Sequence, residues 1–121
     1  MSDYWGYHLM LDCAGCDHAK ITDGENIRLF TKDLVKRIDM VPYGEPIVEY
    51  FTTQDPDKAG WSMVQMIETS NICMHAVDKD DTLYLDVFSC KPYDIDTVLD
   101  AVKEYFGVQK TRVNYITRNA G

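Results

Sequence analysis

The stretch from Trp61 to Ser89 reads WSMVQMIETSNICMHAVDKDDTLYLDVFS, and it indicates the type of fold. Three segments of it are short and rich in apolar, β-branched and aromatic residues, as β-strands are. These segments are 61–67, 72–77 and 82–89. The polar run 78–81 predicts one turn, because such residues favour turns. A tight turn at Glu68 and Thr69 would join the first two segments, so we predict three consecutive antiparallel strands.

Two other segments show the three- and four-residue spacing of apolar side chains that marks an amphipathic helix. One stripe consists of Ile27, Phe30, Leu34 and Ile38, and the other of Ile95, Val98, Leu99, Val102 and Phe106. Thr22 with Glu25 predicts a capping box at the start of the first helix. Gly107 predicts the end of the second helix, because glycine readily adopts the left-handed conformation found there.

Three further strands are predicted on the same grounds, at 4–11, 46–52 and 111–117. The resulting order β-α-β-β-β-β-α-β is typical of an α+β fold, in which an antiparallel sheet carries both helices on one face. We therefore expect a two-layer sandwich in which residues 1–121 form a single domain. The other face of the sheet would need cover, which a second copy of the chain would provide.

Charge and hydropathy exclude several classes of protein. The chain has 20 acidic and 12 basic residues and a formal net charge of −8. This balance argues against a nucleic-acid-binding protein or one that binds anionic membranes. No apolar run approaches the roughly 18 residues that a membrane span needs. Met1, Ser2, Asp3 and Tyr4 lack the basic and apolar character of a signal peptide, so we expect a cytoplasmic protein.

The four cysteines are Cys13, Cys16, Cys73 and Cys90. In a reducing cytosol they are expected to be free thiols. Cys13 and Cys16 have the C-x-x-C spacing of zinc and redox sites, but a structural zinc site needs a second such pair. Cys73 and Cys90 do not form one, so we expect no metal site here.

Four polar residues stand at fixed intervals around the central strands. Ser62 precedes Ser70 by eight residues, His75 follows Ser70 by five, and Cys90 follows it by twenty. In kind and spacing these residues resemble the prokaryotic S-adenosylmethionine decarboxylases, a family of pyruvoyl-dependent proenzymes. The resemblance covers most of the chain and implies that family's fold. It assigns the pyruvoyl precursor to Ser70 and a role in assisting processing to Ser62.

The resemblance also implies that the chain cleaves itself between Thr69 and Ser70, giving fragments 1–69 and 70–121. The Ser70 hydroxyl would attack the Thr69 carbonyl and turn the peptide bond into an ester. His75 would then remove the α-proton of residue 70, a suitable task because imidazole titrates near neutral pH. The dehydroalanine left behind would hydrolyse to a pyruvoyl group and release ammonia.

The pyruvoyl group derived from Ser70 is the implied covalent cofactor. In the family it forms a Schiff base with the amine of S-adenosylmethionine and accepts electrons as carbon dioxide leaves, as PLP does in other enzymes. Cys90 matches the acid that returns a proton to the reacting carbon, and a thiol is a suitable donor. The product is the aminopropyl donor for spermidine synthesis.

Substrate contacts are marked less clearly. The family commonly carries a ribose-binding glutamate four residues after the processing histidine, where this chain has Lys79. Neighbouring Asp78 is the candidate replacement. The candidates for pairing with a cationic substrate, which an acidic surface would attract, are Glu68 and Asp12. The candidates for stacking on adenine or on a sulfonium cation are Tyr4, Trp5 and Tyr7.

A turn at Glu68 and Thr69 also places Ser62 opposite His75 on paired strands. Both would lie far from Ser70 of the same chain, since eight strand residues span roughly 26 Å. We therefore predict a homodimer, in which a two-fold partner brings this pair to Ser70 at the interface.

Two alternatives stay open. Lys79, in place of the ribose-binding glutamate, would suit a pyruvoyl enzyme that acts on arginine or ornithine. An unprocessed homologue that serves as a regulatory partner would need no cleavage at all. Thr69 is a second departure from the family, which often has glutamate before the pyruvoyl serine.

Overall fold

The computed structural model describes residues 4–121. Met1, Ser2 and Asp3, on which the signal-peptide argument partly rests, lie outside the described residues. In chain order the elements are β1 (Gly6–Ala14), α1 (His18–Ile21), α2 (Gly24–Arg37), β2 (Ile47–Phe51), β3 (Gly60–Ile67), β4 (Ser70–Val77), β5 (Thr82–Ser89), α3 (Ile95–Phe106) and β6 (Lys110–Arg118). No helix within residues 4–121 is long and apolar enough to cross a membrane.

The strands form one sheet in the order β2-β3-β4-β5-β1-β6, and every neighbouring pair is antiparallel. The predicted α+β fold and its central run of three strands are therefore confirmed. β5 begins and ends as predicted. β1 instead extends to Ala14, beyond the predicted end at Leu11, because it pairs along this length with Lys110 and its neighbours on β6.

The start of α2 differs from the prediction. Its N-cap is Asp23, whose carboxylate accepts hydrogen bonds from the backbone N–H groups of Glu25 (3.0 Å) and Asn26 (3.3 Å). The capping box assigned to Thr22 was wrong, because Thr22 ends the short helix α1 and its hydroxyl donates to the His18 carbonyl at 2.7 Å. A four-residue helix shows no apolar periodicity, so α1 was missed.

Helix α3 ends as predicted. Gly107 has φ of +61° in the left-handed region, and its N–H donates to the Lys103 carbonyl.

The two long helices pack on each other, with the rings of Phe30 and Phe106 edge to face at 4.8 Å between centroids. Both rings are fully buried, so the helices share one core with the sheet beneath them.

The two faces of the sheet differ in their surroundings, because side chains alternate across each strand. One face packs under the helices through fully buried residues, which include Leu9, Leu11, Ile72, Leu85 and Val87. The opposite face, here called the open face, carries exposed apolar residues, which include Ile47, Val64, Met66, Tyr84 and Ile116. Register places Ser62 and His75 on the open face as well.

The cap of α2 yields a stability prediction. Replacing Asp23 by Ala should lower the free energy of unfolding by about 1 kcal/mol, because the first turn of α2 loses its acceptor. Asp23→Asn keeps an acceptor oxygen and should lose far less. Urea unfolding followed by circular dichroism measures both, and equal losses in the two variants would contradict the capping role.

Candidate active site

The turn between β3 and β4 carries an unusual backbone conformation. Ile67 pairs with Ser70, so only Glu68 and Thr69 form the loop. Two-residue hairpins usually place positive φ values on the loop residues themselves. Here neither loop residue has one, and Ser70 has φ of +155° instead. That region is populated almost only by glycine, and such an outlier costs about 1–3 kcal/mol.

The carbonyl on the other side of the same peptide bond is held in place. The Thr69 carbonyl oxygen accepts a hydrogen bond from the backbone N–H of Cys90 at 3.0 Å. Ser70 lies directly opposite Ser89 in the β4–β5 ladder, which brings Cys90 beside the turn. The Cys90 side chain is exposed there. The structure therefore brings three of the predicted residues together, namely Thr69, Ser70 and Cys90.

A second link ties the Thr69 side chain to the same segment. The Ser89 hydroxyl donates to the Thr69 hydroxyl at 2.7 Å and accepts a hydrogen bond from the Lys91 backbone N–H at 3.0 Å. The Thr69 hydroxyl points in turn at the Met40 sulfur, 3.4 Å away. Ser89 is completely buried. The sequence analysis did not identify Ser89, because its contact with Thr69 joins residues that lie twenty positions apart in the chain.

The Ser62–His75 pair forms at the other end of the hairpin. Ser62 lies opposite His75, as predicted, and Ser62 Oγ is 2.7 Å from His75 Nδ1. His75 Nε2 is 2.8 Å from the Lys58 carbonyl oxygen, which can only accept a hydrogen bond. In neutral His75 the proton therefore lies on Nε2, and Nδ1 accepts the hydrogen bond of the Ser62 hydroxyl.

These two groups of residues do not meet within one chain. Ser70 begins β4, and His75 lies five residues further along the same strand. Because a strand rises by about 3.3 Å per residue, their Cα atoms are separated by roughly 16 Å. The Ser62–His75 pair therefore cannot act on Ser70 of its own chain in this conformation.

The residues predicted to bind substrate are spread over several places. Asp78 accepts a hydrogen bond from the Tyr50 hydroxyl at 2.7 Å, and its second carboxylate oxygen is buried without a hydrogen-bond partner. Lys79 is exposed and pairs with Asp57 at 2.7 Å. Glu68 is exposed at the hairpin turn. Asp12 lines a cavity of about 280 Å³ on the open face, at the end of the strands opposite to Ser70.

The N-terminal aromatic residues lie at the end of the sheet that carries Ser70. Trp5 lines a cavity of about 650 Å³ together with Phe88 and Arg118. The Arg118 guanidinium lies over the Phe88 ring, 5.0 Å from its centroid. Tyr4 packs edge to face on Tyr7, outside that cavity. The sequence prediction included Tyr4 and Trp5 but missed Phe88 and Arg118, which approach from other strands.

A further cavity, of about 390 Å³, adjoins His75. Three carboxylates line it, from Asp55, Asp57 and Asp80. The candidate predicted to replace the ribose-binding glutamate was Asp78, so the position of Asp80 in this cavity was not predicted. The side chain of Asp78 instead accepts a hydrogen bond from the Tyr50 hydroxyl.

Residues 7–119 match the model of a known protein family, S-adenosylmethionine decarboxylase. The chain belongs to the S-adenosylmethionine decarboxylase family. The S-adenosylmethionine decarboxylase proenzyme of Pyrococcus abyssi is 31% identical over 117 residues, which cover 96% of this chain and 80% of that protein. The proenzyme of Clostridium botulinum is 28% identical over 116 residues, which cover 95% of each chain. The resemblance noted in the sequence is thereby confirmed.

The fold is also similar to a solved structure of this family. The crystal structure of the adenosylmethionine decarboxylase from Aquifex aeolicus superposes with a TM-score of 0.78 and 20% identity. The match covers 99% of this chain and 95% of that one. This chain therefore has the same overall fold as that adenosylmethionine decarboxylase.

The four thiols of this family member have different environments. Burial raises the pKa of Cys13 to about 11 and that of Cys16 to about 12. Burial also raises the pKa of the Cys73 thiol. Within residues 4–121 no three His, Cys, Asp or Glu side chains cluster to hold a metal ion.

Thiol labelling tests these environments. At pH 8 the exposed Cys90 should react with iodoacetamide long before Cys13 and Cys16. Those two thiols are buried, and at this pH roughly one Cys13 in a thousand is a thiolate. Peptide mass mapping after timed alkylation gives the order of reaction, and unfolding in urea should expose all four thiols. Early labelling of Cys13 in the folded protein would contradict the predicted order.

Proposed function

We propose that this chain is the proenzyme of an S-adenosylmethionine decarboxylase that cleaves itself between Thr69 and Ser70. The fragments would be residues 1–69 and 70–121. This proposal rests on the conformation and hydrogen bonding of one peptide bond, between Thr69 and Ser70. Ser70 on one side of it has φ of +155°, and the Thr69 carbonyl on the other side accepts a hydrogen bond from Cys90.

The first step would be an acyl shift from nitrogen to oxygen. The Ser70 hydroxyl adds to the Thr69 carbonyl carbon, the C–N bond breaks, and an ester remains with a free amine on residue 70. Negative charge develops on the Thr69 oxygen in this step. The Cys90 N–H already donates to that oxygen at 3.0 Å, as a donor of an oxyanion hole does. The strain at Ser70 would be released as the peptide bond opens.

The second step would be elimination of the ester. A base removes the α-proton of residue 70, the Thr69 carboxylate leaves from the β-carbon, and dehydroalanine remains. Water then replaces its nitrogen, which leaves as ammonia, and the new N-terminus is a pyruvoyl group. The neutral imidazole of His75 suits the role of base, because Nδ1 carries a lone pair and Nε2 is anchored to the Lys58 carbonyl.

The distance within one chain supports a dimer. Since His75 lies roughly 16 Å from Ser70 along β4, the site is incomplete in a single subunit. The open face carries the Ser62–His75 pair among exposed apolar side chains, and Met66 and Tyr84 are each about half exposed. Exposed apolar surface of this kind marks interaction sites. A second copy packed on this face would bring His75 of the partner subunit to Ser70.

The residues around Ser70 fit a decarboxylase cofactor formed in place. A pyruvoyl group supplies an electron sink for the loss of carbon dioxide. The Cys90 thiol is exposed beside the turn, so it can return a proton to the reacting carbon. Trp5 is exposed in the cavity at this end of the sheet and offers an aromatic face to a cationic or nucleoside substrate.

The substrate we propose is S-adenosylmethionine, and its decarboxylated product would feed spermidine synthesis. This choice follows from membership of the family and from the names of the relatives. Four free cysteines suit a reducing compartment such as the cytoplasm. Lys79, which pairs with Asp57, stands where the family commonly has a ribose-binding glutamate. Arginine and ornithine are therefore substrates to be tested beside S-adenosylmethionine.

Intact-mass spectrometry and a carbon dioxide assay test this function together. The wild-type protein should separate under denaturing conditions into two fragments, with a pyruvoyl mass at residue 70. It should release carbon dioxide from S-adenosylmethionine and not from arginine or ornithine. Ser70→Ala should remain a folded species of 13.9 kDa without activity. A single uncut wild-type species would contradict the proposal and favour a regulatory partner.

Mixing two inactive variants tests the dimer. Ser70→Ala and His75→Ala should each fail to cleave alone. Mixed dimers should restore cleavage, because one site then joins Ser70 from one chain to His75 from the other. Only the His75→Ala chain should be cut, which a mass tag on one chain reveals. Absence of cleavage in the mixture, in spite of dimers by sedimentation, would show that the residues act within one chain.

A further inference from the structure

We propose that Ser89 is a positioning residue for self-cleavage, which holds the Thr69–Ser70 peptide in its reactive orientation through the Thr69 hydroxyl. The inference rests on the self-cleavage proposed above and extends it to a residue not yet given a role. It concerns the acyl shift and not the later decarboxylation.

The position of the Ser89 hydroxyl is fixed from two sides. Its oxygen accepts the Lys91 N–H at 3.0 Å, and its proton goes to the Thr69 hydroxyl at 2.7 Å. Ser89 is completely buried, so water does not compete for these bonds. Its side chain also lies 3.6 Å from the Met40 sulfur, which limits its rotation. Ser89 is therefore a rigid point of attachment.

Thr69 is consequently held at two atoms by two consecutive residues, Ser89 and Cys90. Its side chain is bound by Ser89, and its carbonyl oxygen is bound by the N–H of Cys90. Two attachments fix the direction of the carbonyl relative to Ser70, which one attachment would leave free to rotate. Attack by a neighbouring hydroxyl needs such alignment, and a displacement of about 1 Å can cost a hundredfold in rate.

The strained turn makes this attachment necessary. A residue at φ of +155° persists only where surrounding contacts outweigh the strain, which here falls on Ser70. Rotation of the Thr69–Ser70 peptide plane would relieve it and carry the carbonyl away from the Cys90 N–H. The Ser89–Thr69 hydrogen bond opposes that rotation. Thr69, where the family often has glutamate, supplies the hydroxyl that makes the bond possible.

Four variants test the role of Ser89, with cleavage followed by intact mass over time. Ser89→Ala should slow cleavage by roughly tenfold to a hundredfold. Ser89→Thr keeps the hydroxyl and should restore most of the rate. Thr69→Val removes the other partner of the bond, so it should be as slow as Ser89→Ala. The double variant should be no slower than either single one, because both remove the same interaction.

A matched control separates positioning from loss of stability. Thr31→Val also removes a completely buried hydroxyl, one that donates to the Ile27 carbonyl within α2. It should cleave at the wild-type rate. Slow cleavage in Thr31→Val, or a rate that follows the melting temperature across the variants, would overturn the proposal. If Ser89→Ala does not fold, Thr69→Val at the turn carries the same test.

Hydroxylamine identifies the step that is affected. It attacks the Thr69 carbonyl of the ester, leaving a hydroxamate on residues 1–69 and a free serine amine on residue 70. His75→Ala should accumulate ester and be cut rapidly by this reagent. Hydroxylamine should cut Ser89→Ala roughly tenfold to a hundredfold more slowly than His75→Ala, because its ester forms more slowly. The proposal is overturned if Ser89→Ala cleaves like the wild type or is cut by hydroxylamine as fast as His75→Ala. Failure of the wild type itself to cleave would instead reject the proposed function.

Discussion

The antiparallel register of β3 and β4, closed by a turn of only two residues, is the constraint on which the rest of the site depends. With Ile67 fixed opposite Ser70, the register also fixes Ser62 opposite His75. The same short turn displaces the unfavourable backbone conformation onto Ser70. A longer loop would relax that conformation and release the Thr69 carbonyl from Cys90. The Thr69–Ser70 peptide bond is therefore distinguished by its backbone geometry.

The hairpin also divides the chemistry between its two ends. The strained peptide lies where β4 begins, and the Ser62–His75 pair lies further along the hairpin on the open face. A rigid strand between them prevents one chain from bringing the two together. The sheet supplies this rigidity, because β4 is hydrogen-bonded on both sides, to β3 and to β5. Formation of the proposed dimer would thus also complete the site at which the chain cleaves.

Much of the fold follows from the sequence, since periodicity along strands and long helices is a local property. The α3 stripe ended by Gly107 and the alternation in β5 were sufficient to predict those elements. The cap of α2 was misplaced because Thr22 and Asp23 are both capping residues, and only tertiary context separates them. The roles of Ser62, His75 and Cys90 came from their resemblance to a family and stay predictions. The link from Ser89 to Thr69 depends on pairing between strands, which spacing along the chain does not reveal.

The strand order would interleave the two fragments that the proposed cleavage produces. Strands β1, β2 and β3 belong to residues 1–69, and β4, β5 and β6 to residues 70–121, yet the sheet order is β2-β3-β4-β5-β1-β6. Three of its junctions, β3–β4, β5–β1 and β1–β6, would then join different polypeptides. Each fragment would hold one adjacent pair of strands, β2–β3 or β4–β5, and one strand separated from that pair. Neither fragment could therefore dissociate without breaking the hydrogen bonds at these junctions. If the chain cleaves as proposed, folding would therefore have to precede cleavage, and two fragments that later unfolded would have to reassociate to rebuild the three shared junctions.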